Sequence, residues 1–195
     1  FYTVRIARDG RGWRVRGSRQ VALRDARRTR FPAAGSGREA VDPEAVRVAP
    51  DGALVWSSEG DAKDGYGPAV RQSDRRGRMR ATVPLPANLR FNPDGLRGTR
   101  DNGALEGLAF APDGALWLAM EMPLVEDGAP ADDHAAAPVR FTRLADGAPV
   151  QQFAYRPDRV VPAARGRGGD NGVTELLALD DRRMLVLERS GAKDG

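Results

Sequence analysis

Asp101-Asn102-Gly103-Ala104-Leu105-Glu106-Gly107-Leu108-Ala109-Phe110-Ala111-Pro112-Asp113-Gly114-Ala115-Leu116-Trp117-Leu118-Ala119-Met120-Glu121 decides the fold, because the chain carries it three times in altered form. Upstream, Asp42-Pro43-Glu44 through Pro50-Asp51-Gly52 to Ser58-Glu59 repeats the order of acid, apolar run, turn, apolar run and acid. Downstream, Asp170-Asn171-Gly172-Val173-Thr174-Glu175 through Asp180-Asp181 to Leu187-Glu188 repeats it again. The leading glutamates, Glu44, Glu106 and Glu175, lie 62 and 69 residues apart. That period is long for one propeller blade but fits a blade carrying an inserted loop.

Each copy reads as a β-hairpin, since Asp-Gly between short apolar runs is a strong local hairpin signal. With the loop centred between Asp113 and Gly114, Phe110 is expected to face Trp117, Leu108 to face Ala119, and Glu106 to face Glu121. The same construction sets Glu44 opposite Glu59 and Glu175 opposite Glu188. Directly opposed side chains have Cβ atoms about 5 Å apart, and like charges there are destabilising. A calcium ion, which takes about six to eight oxygen ligands, an inserted arginine, or solvation at the strand end would compensate. A one-residue bulge at the turn would instead shift the register and move the partners to opposite faces.

The composition is that of an ordinary globular chain: 195 residues, 41% hydrophobic and 30% charged. No apolar run approaches the length that crosses a membrane. The chain opens in an alternating strand, Phe1-Tyr2-Thr3-Val4-Arg5-Ile6, and stops at Gly191-Ala192-Lys193-Asp194-Gly195 just after another. It is expected to be one domain, 1–195, cut at both ends. The pI of about 10.1 comes from arginine spread along the whole length, Lys63 and Lys193 being the only lysines. The clusters at Arg24 to Arg30 and Arg71 to Arg80 lack interleaved aromatics, so nucleic acid is not the expected partner. Zero cysteines exclude disulfides, thiol catalysis and Cys-zinc sites.

Further hairpins are expected at Phe1 to Val15 around Asp9-Gly10, and at Val139 to Tyr155 around Asp146-Gly147. Ala69 to Asp74 reads as a strand and turn. Ala81-Thr82-Val83-Pro84-Leu85-Pro86 reads as an edge segment, because two prolines cannot sit in a central strand. Arg24 to Glu39, Asn88 to Arg100, Asp127 to Ala137 and Gly166 to Gly169 read as connections. With no amphipathic helix of three turns, the fold class is all-β, repeated antiparallel hairpins in the manner of a propeller.

The chemistry on offer is that of carboxylates. The sole histidine, His134, lies among Ala and Asp, and no Gly-x-Ser-x-Gly elbow exists, which disfavours a hydrolytic triad. Radial repetition would gather Glu44, Glu59, Glu106, Glu121, Glu175 and Glu188 at one channel mouth, where they are candidate calcium ligands. Asp61 and Asp64 lie near Glu59 but lack EF-hand spacing. Arg100 and Arg189 are candidates to grip an anionic substrate. Equally, the glutamates can bond backbone or arginine and tie neighbouring blades together.

Asn102-Gly103-Ala104-Leu105-Glu106-Gly107-Leu108-Ala109-Phe110, followed by Pro112-Asp113-Gly114, Trp117 and Glu121-Met122-Pro123-Leu124, resembles the signature of the esterase-like phytase domain. Glu175-Leu176-Leu177-Ala178-Leu179 with Leu185-Val186-Leu187-Glu188-Arg189-Ser190 is similar to its second signature. The resemblance covers nearly the whole chain. It implies a β-propeller-like domain in bacterial proteins that are commonly exported to the periplasm or outside the cell, with further blades before Phe1 and after Gly195. It also implies hydrolysis of small phosphate or carboxylic esters. The leading expectation is therefore calcium-assisted ester hydrolysis at an acidic mouth, and the alternative is a non-catalytic binding propeller of the cell envelope.

Overall fold

The computed structural model describes residues 1–32, 35–36, 38–132, 134–160 and 169–192. Parts of the expected connections and chain end, at 133, 166–168 and 193–195, lie outside the described residues. Twelve strands are formed: β1 (Tyr2–Asp9), β2 (Gly12–Gln20), β3 (Pro43–Val48), β4 (Leu54–Ser58), β5 (Ala69–Ser73), β6 (Met79–Val83), β7 (Leu105–Phe110), β8 (Leu116–Met120), β9 (Val139–Ala145), β10 (Ala148–Tyr155), β11 (Gly169–Ala178) and β12 (Met184–Ala192). Among the described residues the only helical segments are single 3₁₀ turns at Ala62–Asp64, Ala87–Leu89 and Val125–Asp127. None is long and apolar enough to cross a membrane.

Every pairing between strands is antiparallel, and within each sheet consecutive strands pair. Strands β3-β4-β5-β6 make one four-stranded sheet and β7-β8-β9-β10 a second, while β1-β2 and β11-β12 are two-stranded. The two four-stranded sheets are propeller-like blades, each running outward from its first strand. The inner strands pack side by side, with β7 between β3 and β11. As the two prolines of 81–86 require, β6 is an edge strand.

Alternation along the inner hairpins builds the core. Leu105, Leu108, Leu118 and Met120 of β7 and β8 are fully buried against Val55 and Val70 of the first blade, Val139 of β9 and Leu176 of β11. Burying each such leucine contributes about 1.5–3 kcal/mol. Gly107 permits the close approach of β7 to β11: a Cβ there would stand 3.0 Å from Leu176 Cγ and 2.9 Å from Ala119 Cβ.

The register differs from the expected one in all three repeats. The turn at Pro112-Asp113-Gly114 is closed by Gly114 N–H donating to Ala111 O and Ala111 N–H to Ala115 O, both at 2.9 Å. Gly114 takes φ +84°, the left-handed residue that ends a three-residue hairpin loop. Phe110 consequently pairs with Leu116 and Ala109 with Trp117. The loop at Pro50-Asp51-Gly52 is closed in the same way, and Val48 pairs with Leu54. A second shift comes from a bulge near each strand entrance, between Pro43 and Val46, between Leu105 and Gly107, and between Val173 and Glu175. No two glutamates are therefore directly opposed: Glu59 N–H bonds Asp42 O at 3.0 Å, Glu121 N–H bonds Ala104 O at 2.7 Å, and Glu188 pairs with Val173.

Candidate functional site

The bulges and loops that undo the expected pairing also assemble a cluster. Glu44 lies in the bulge at the start of β3 and Glu106 in the bulge at the start of β7, while Glu59 and Glu121 immediately follow β4 and β8. All four stand at the same end of the inner hairpins, opposite the Pro-Asp-Gly loops. Ligand oxygens of Glu59, Glu106 and Glu121 lie within 4.8 Å of one another, as do those of Asp42, Glu44 and Glu59. Glu59 belongs to both groups, so five carboxylates from two blades form one continuous acidic mouth.

Local structure aims each acid. Glu59 Oε1 accepts the N–H of Gly103 at 2.9 Å and that of Ala104, which fixes the end of β4 to the entrance of β7. Asn102, at φ +51°, and Gly103, at φ +152°, turn those two amides toward it. Glu121 is buried, at 3% exposure, and Oε1 accepts from Arg189 Nη2 at 2.9 Å. Room for it comes from the absence of a side chain at Gly172 on β11, where a Cβ would meet Glu121 Cγ at 2.6 Å. A cavity of about 340 Å³ opens beside the cluster, lined by Asp42, Glu59, Asp61, Lys63, Asp101 and Asn102 among others.

Crowding the acids raises their proton affinity. Glu106 is pushed up to about 7, first by burial and then by the charges of Glu121, Glu44 and Glu59, with Arg189 opposing. Glu44 is likewise pushed up to about 7 by burial, then by Asp42 and Glu59. Burial also raises Glu59 and Glu121, against the lowering effect of the Ala104 and Gly103 amides on the first and of Arg189 on the second. Four raised carboxylates in contact are a cluster short of positive charge.

The other two glutamates stand elsewhere. Glu175 forms an ion pair with Arg47 of β3, across β7, and its Oε1 also accepts from Leu108 N–H at 3.4 Å. Glu188 accepts from Tyr155 Oη at 2.5 Å, Asn171 Nδ2 at 2.7 Å and Asp158 N–H at 2.9 Å. Burial raises it, but these hydrogen bonds prevail and hold it below the usual carboxylate range. Arg100 spends its guanidinium on backbone carbonyls, donating to Pro123 O at 3.0 Å and Gly128 O at 2.5 Å. Exposed His134 neighbours no member of the mouth in sequence and hydrogen-bonds through its backbone to Asp132 at 2.8 Å. Asp101 and Asn102 were expected with Glu106 as oxygen donors at a strand entrance, and they line the cavity; sequence reasoning omitted Asp42 and Lys63, although Asp42 was legible as the acid that opens its repeat, just as Asp101 does.

These features define a class: a propeller-like all-β domain with an acidic mouth at the open ends of its inner hairpins. The chain belongs to the phytase-like family, described as having the esterase-like activity of phytase, whose model matches residues 1–195. That description carries an ester-hydrolase type of activity. No curated protein and no solved structure matches the chain.

Proposed function

We propose that this protein hydrolyses small phosphate or carboxylic esters at the acidic mouth, with calcium held by Glu59, Glu106 and Glu121 and bordered by Asp42 and Glu44. The observation that carries the reading is the convergence of carboxylates from separate hairpins within 4.8 Å beside a cavity. The donor set fits the ion: hard carboxylate oxygens, several to a site, with no sulfur or imidazole among them. Bound there, calcium would polarise an ester or phosphoryl oxygen and lower the pKa of a bound water.

The chain's own residues have separable tasks in this reading. The Gly103 and Ala104 amides hold Glu59 in one orientation, and Arg189 does the same for Glu121. Glu44, at the exposed edge and pushed up to about 7, is suited to take a proton from an attacking water near neutral pH. Lys63 on the cavity wall and Arg189, whose side chain is 70% exposed, are placed to meet a substrate anion. Resemblance to a family of commonly exported bacterial proteins supports a periplasmic or extracellular place of action.

The ion pair of Glu175 and the hydrogen bonds of Glu188 favour a second reading, in which acids of this chain join blades and the domain binds a ligand without turnover. Hydrolysis of phytate, an aryl phosphate and a short aryl ester, each with calcium and with a chelator, separates the two. Chelator-sensitive turnover lost in Glu106→Gln supports the hydrolase. A folded, calcium-supplied protein that leaves all three substrates intact rejects it for these ester classes.

A further inference from the structure

Two arginine clusters, Arg24 to Arg30 and Arg71 to Arg80, are separated in the sequence by the whole inner hairpin β3-β4. The fold joins them on the first of the two complete, four-stranded blades. Arg24 N–H donates to Gly77 O at 2.8 Å and Met79 N–H donates to Arg24 O at 2.9 Å, which lays the first cluster alongside the start of β6. Gly77, at φ +76°, permits the approach, since a Cβ there would collide with Ala22 O. The turn Asp74-Arg75-Arg76-Gly77-Arg78 stands at the Pro50-Asp51-Gly52 end of the blade, because Ser73 pairs with Leu54. Arg71 takes no part in the joined surface: it is buried between the rings of Phe31 and Trp56 and paired with Glu39.

The result is a face of unmatched positive charge. Arg27, Arg28, Arg30, Arg75, Arg76 and Arg80 are exposed, and none is in an ion pair with a described residue. The acids interleaved with them are committed to backbone amides. Asp25 Oδ1 accepts Thr29 N–H at 2.7 Å, and Asp74 Oδ1 accepts the N–H of Arg76 at 2.8 Å and that of Arg78 at 3.0 Å. Loops at the same end of the other hairpins are balanced instead, Arg143 by Asp113 and Arg183 by Asp180. A cavity of about 370 Å³ lined by Arg75, Arg76, Arg80, Asp51 and Asp74 among others opens in the face, room for a single phosphate group. Blades pack against one another through the sides of their inner strands, and this face lies at the strand ends, where such packing does not cover it.

We propose that this face docks the protein on an anionic phospholipid bilayer, its arginines against the head-group phosphates. Guanidinium groups match phosphate oxygens in a bidentate fork, and each basic side chain at an anionic leaflet adds about fivefold in affinity. Nucleic acid fits less well, because no aromatic side chain is exposed among these arginines to stack a base; the nearest, Phe31, is half-buried edge-on to Trp56. No large apolar side chain is exposed within 24–30 or 74–80, so the attachment is electrostatic, peripheral and reversed by salt. Orientation follows from charge. The acidic mouth stands at the opposite end of the same hairpins, so an anionic bilayer attracts one end and repels the other, and the mouth faces solution. The docking is independent of what the mouth binds or hydrolyses.

Co-sedimentation with vesicles of phosphatidylcholine alone, and of phosphatidylcholine with about one third phosphatidylglycerol, at about 0.1 M and about 0.5 M salt, tests this. The unmodified chain is compared with Arg27→Gln/Arg28→Gln/Arg30→Gln, with Arg75→Gln/Arg76→Gln/Arg80→Gln, and with Arg5→Gln/Arg16→Gln/Arg19→Gln, which removes the same charge from the ribbon β1-β2. All the replaced side chains are exposed, so none of the variants disturbs the core. The unmodified protein is expected to bind the anionic vesicles at the lower salt, and to release them at the higher salt and ignore the neutral ones. Each variant of the basic face should lose about a hundredfold in affinity, and the ribbon variant should stay within about threefold, its charges being screened at that distance. Four results overturn the proposal: no binding to anionic vesicles at the lower salt; equal binding to neutral vesicles; a ribbon variant that loses as much as the face variants; or tighter binding, phosphate for phosphate, to a short DNA duplex than to the anionic vesicles.

Discussion

The inner hairpins of the two complete blades and the inner hairpin β11-β12 share one sequence pattern, and their acids have different surroundings. Glu59, Glu106 and Glu121 converge with little positive charge, and Arg189 is their one ion-pair partner among the described residues. Glu175 meets Arg47, and Glu188 meets Tyr155, Asn171 and the Asp158 amide. The bulge near the strand entrance is common to all three repeats. The difference arises from what the neighbouring blade presents. The third hairpin gives the three converging acids a single guanidinium, Arg189 on Glu121, and clears space for Glu121 with Gly172, whereas Glu175 has the Arg47 guanidinium of β3 to itself. A repeat thus fixes where an acid stands along its hairpin, and the facing strand decides whether that acid is neutralised or left available.

The sharpest way to break the contrast is to fill the space that admits Glu121. Gly172→Ala sets a Cβ against Glu121 Cγ, and such overpacking costs about 1–3 kcal/mol. Denaturant unfolding should register that loss, together with a fall in calcium affinity that the alanine's own packing does not explain.

On the neutralised side, Tyr155→Phe removes the phenol that donates to Glu188. A hydrogen bond to a charged group at a partly exposed position contributes about 1–2 kcal/mol. The expected outcome is a loss of that size in thermal unfolding, with calcium affinity and turnover unchanged. A change in calcium affinity would show that the two regions are coupled.

Acidification gives a smaller effect, and its sign differs between the regions. Glu44 and Glu106 have folded pKa values raised to about 7 from 4.5, so between those values the folded state binds more protons than the unfolded chain. Calcium-free protein should therefore gain stability from this cluster as pH falls from about 7 toward 5. Glu188 is lowered, so its contribution is lost only at still lower pH, as its carboxylate takes up a proton. Unfolding midpoints measured across this range, with and without calcium, should show calcium abolishing the gain. Stability that falls steadily from pH 7 to 5 without calcium would contradict the crowding at the mouth.

Much of the fold was legible in the sequence because its signals are local. Asp-Gly between alternating runs marked the hairpins around Asp9, Asp51, Asp113 and Asp146, and two prolines marked β6 as an edge. The register was not legible. Pro112-Asp113-Gly114 reads equally as a loop centred on the Asp-Gly bond or on Asp113, and only the left-handed Gly114 with its closing hydrogen bonds decides. The bulge at Glu106 carries no residue signature, since it is imposed by packing Leu105 and Leu108 into the same core. Contacts between blades were also hidden. Glu59 meets Gly103 and Ala104 across 44 and 45 residues of chain, and nothing near Glu121 announces that Gly172 makes room for it.

The central claim is that the first two inner hairpins hold a cation that the third does not. Calorimetric titration of calcium into the unmodified protein, Glu106→Gln and Glu175→Gln at pH 7.5 tests it most directly. The account predicts binding by the unmodified protein, affinity reduced by about tenfold to a hundredfold in Glu106→Gln, and Glu175→Gln within about twofold of the unmodified protein, its ion pair contributing under about 1 kcal/mol of stability. Equal affinities in all three proteins, or a larger loss in Glu175→Gln than in Glu106→Gln, would contradict it.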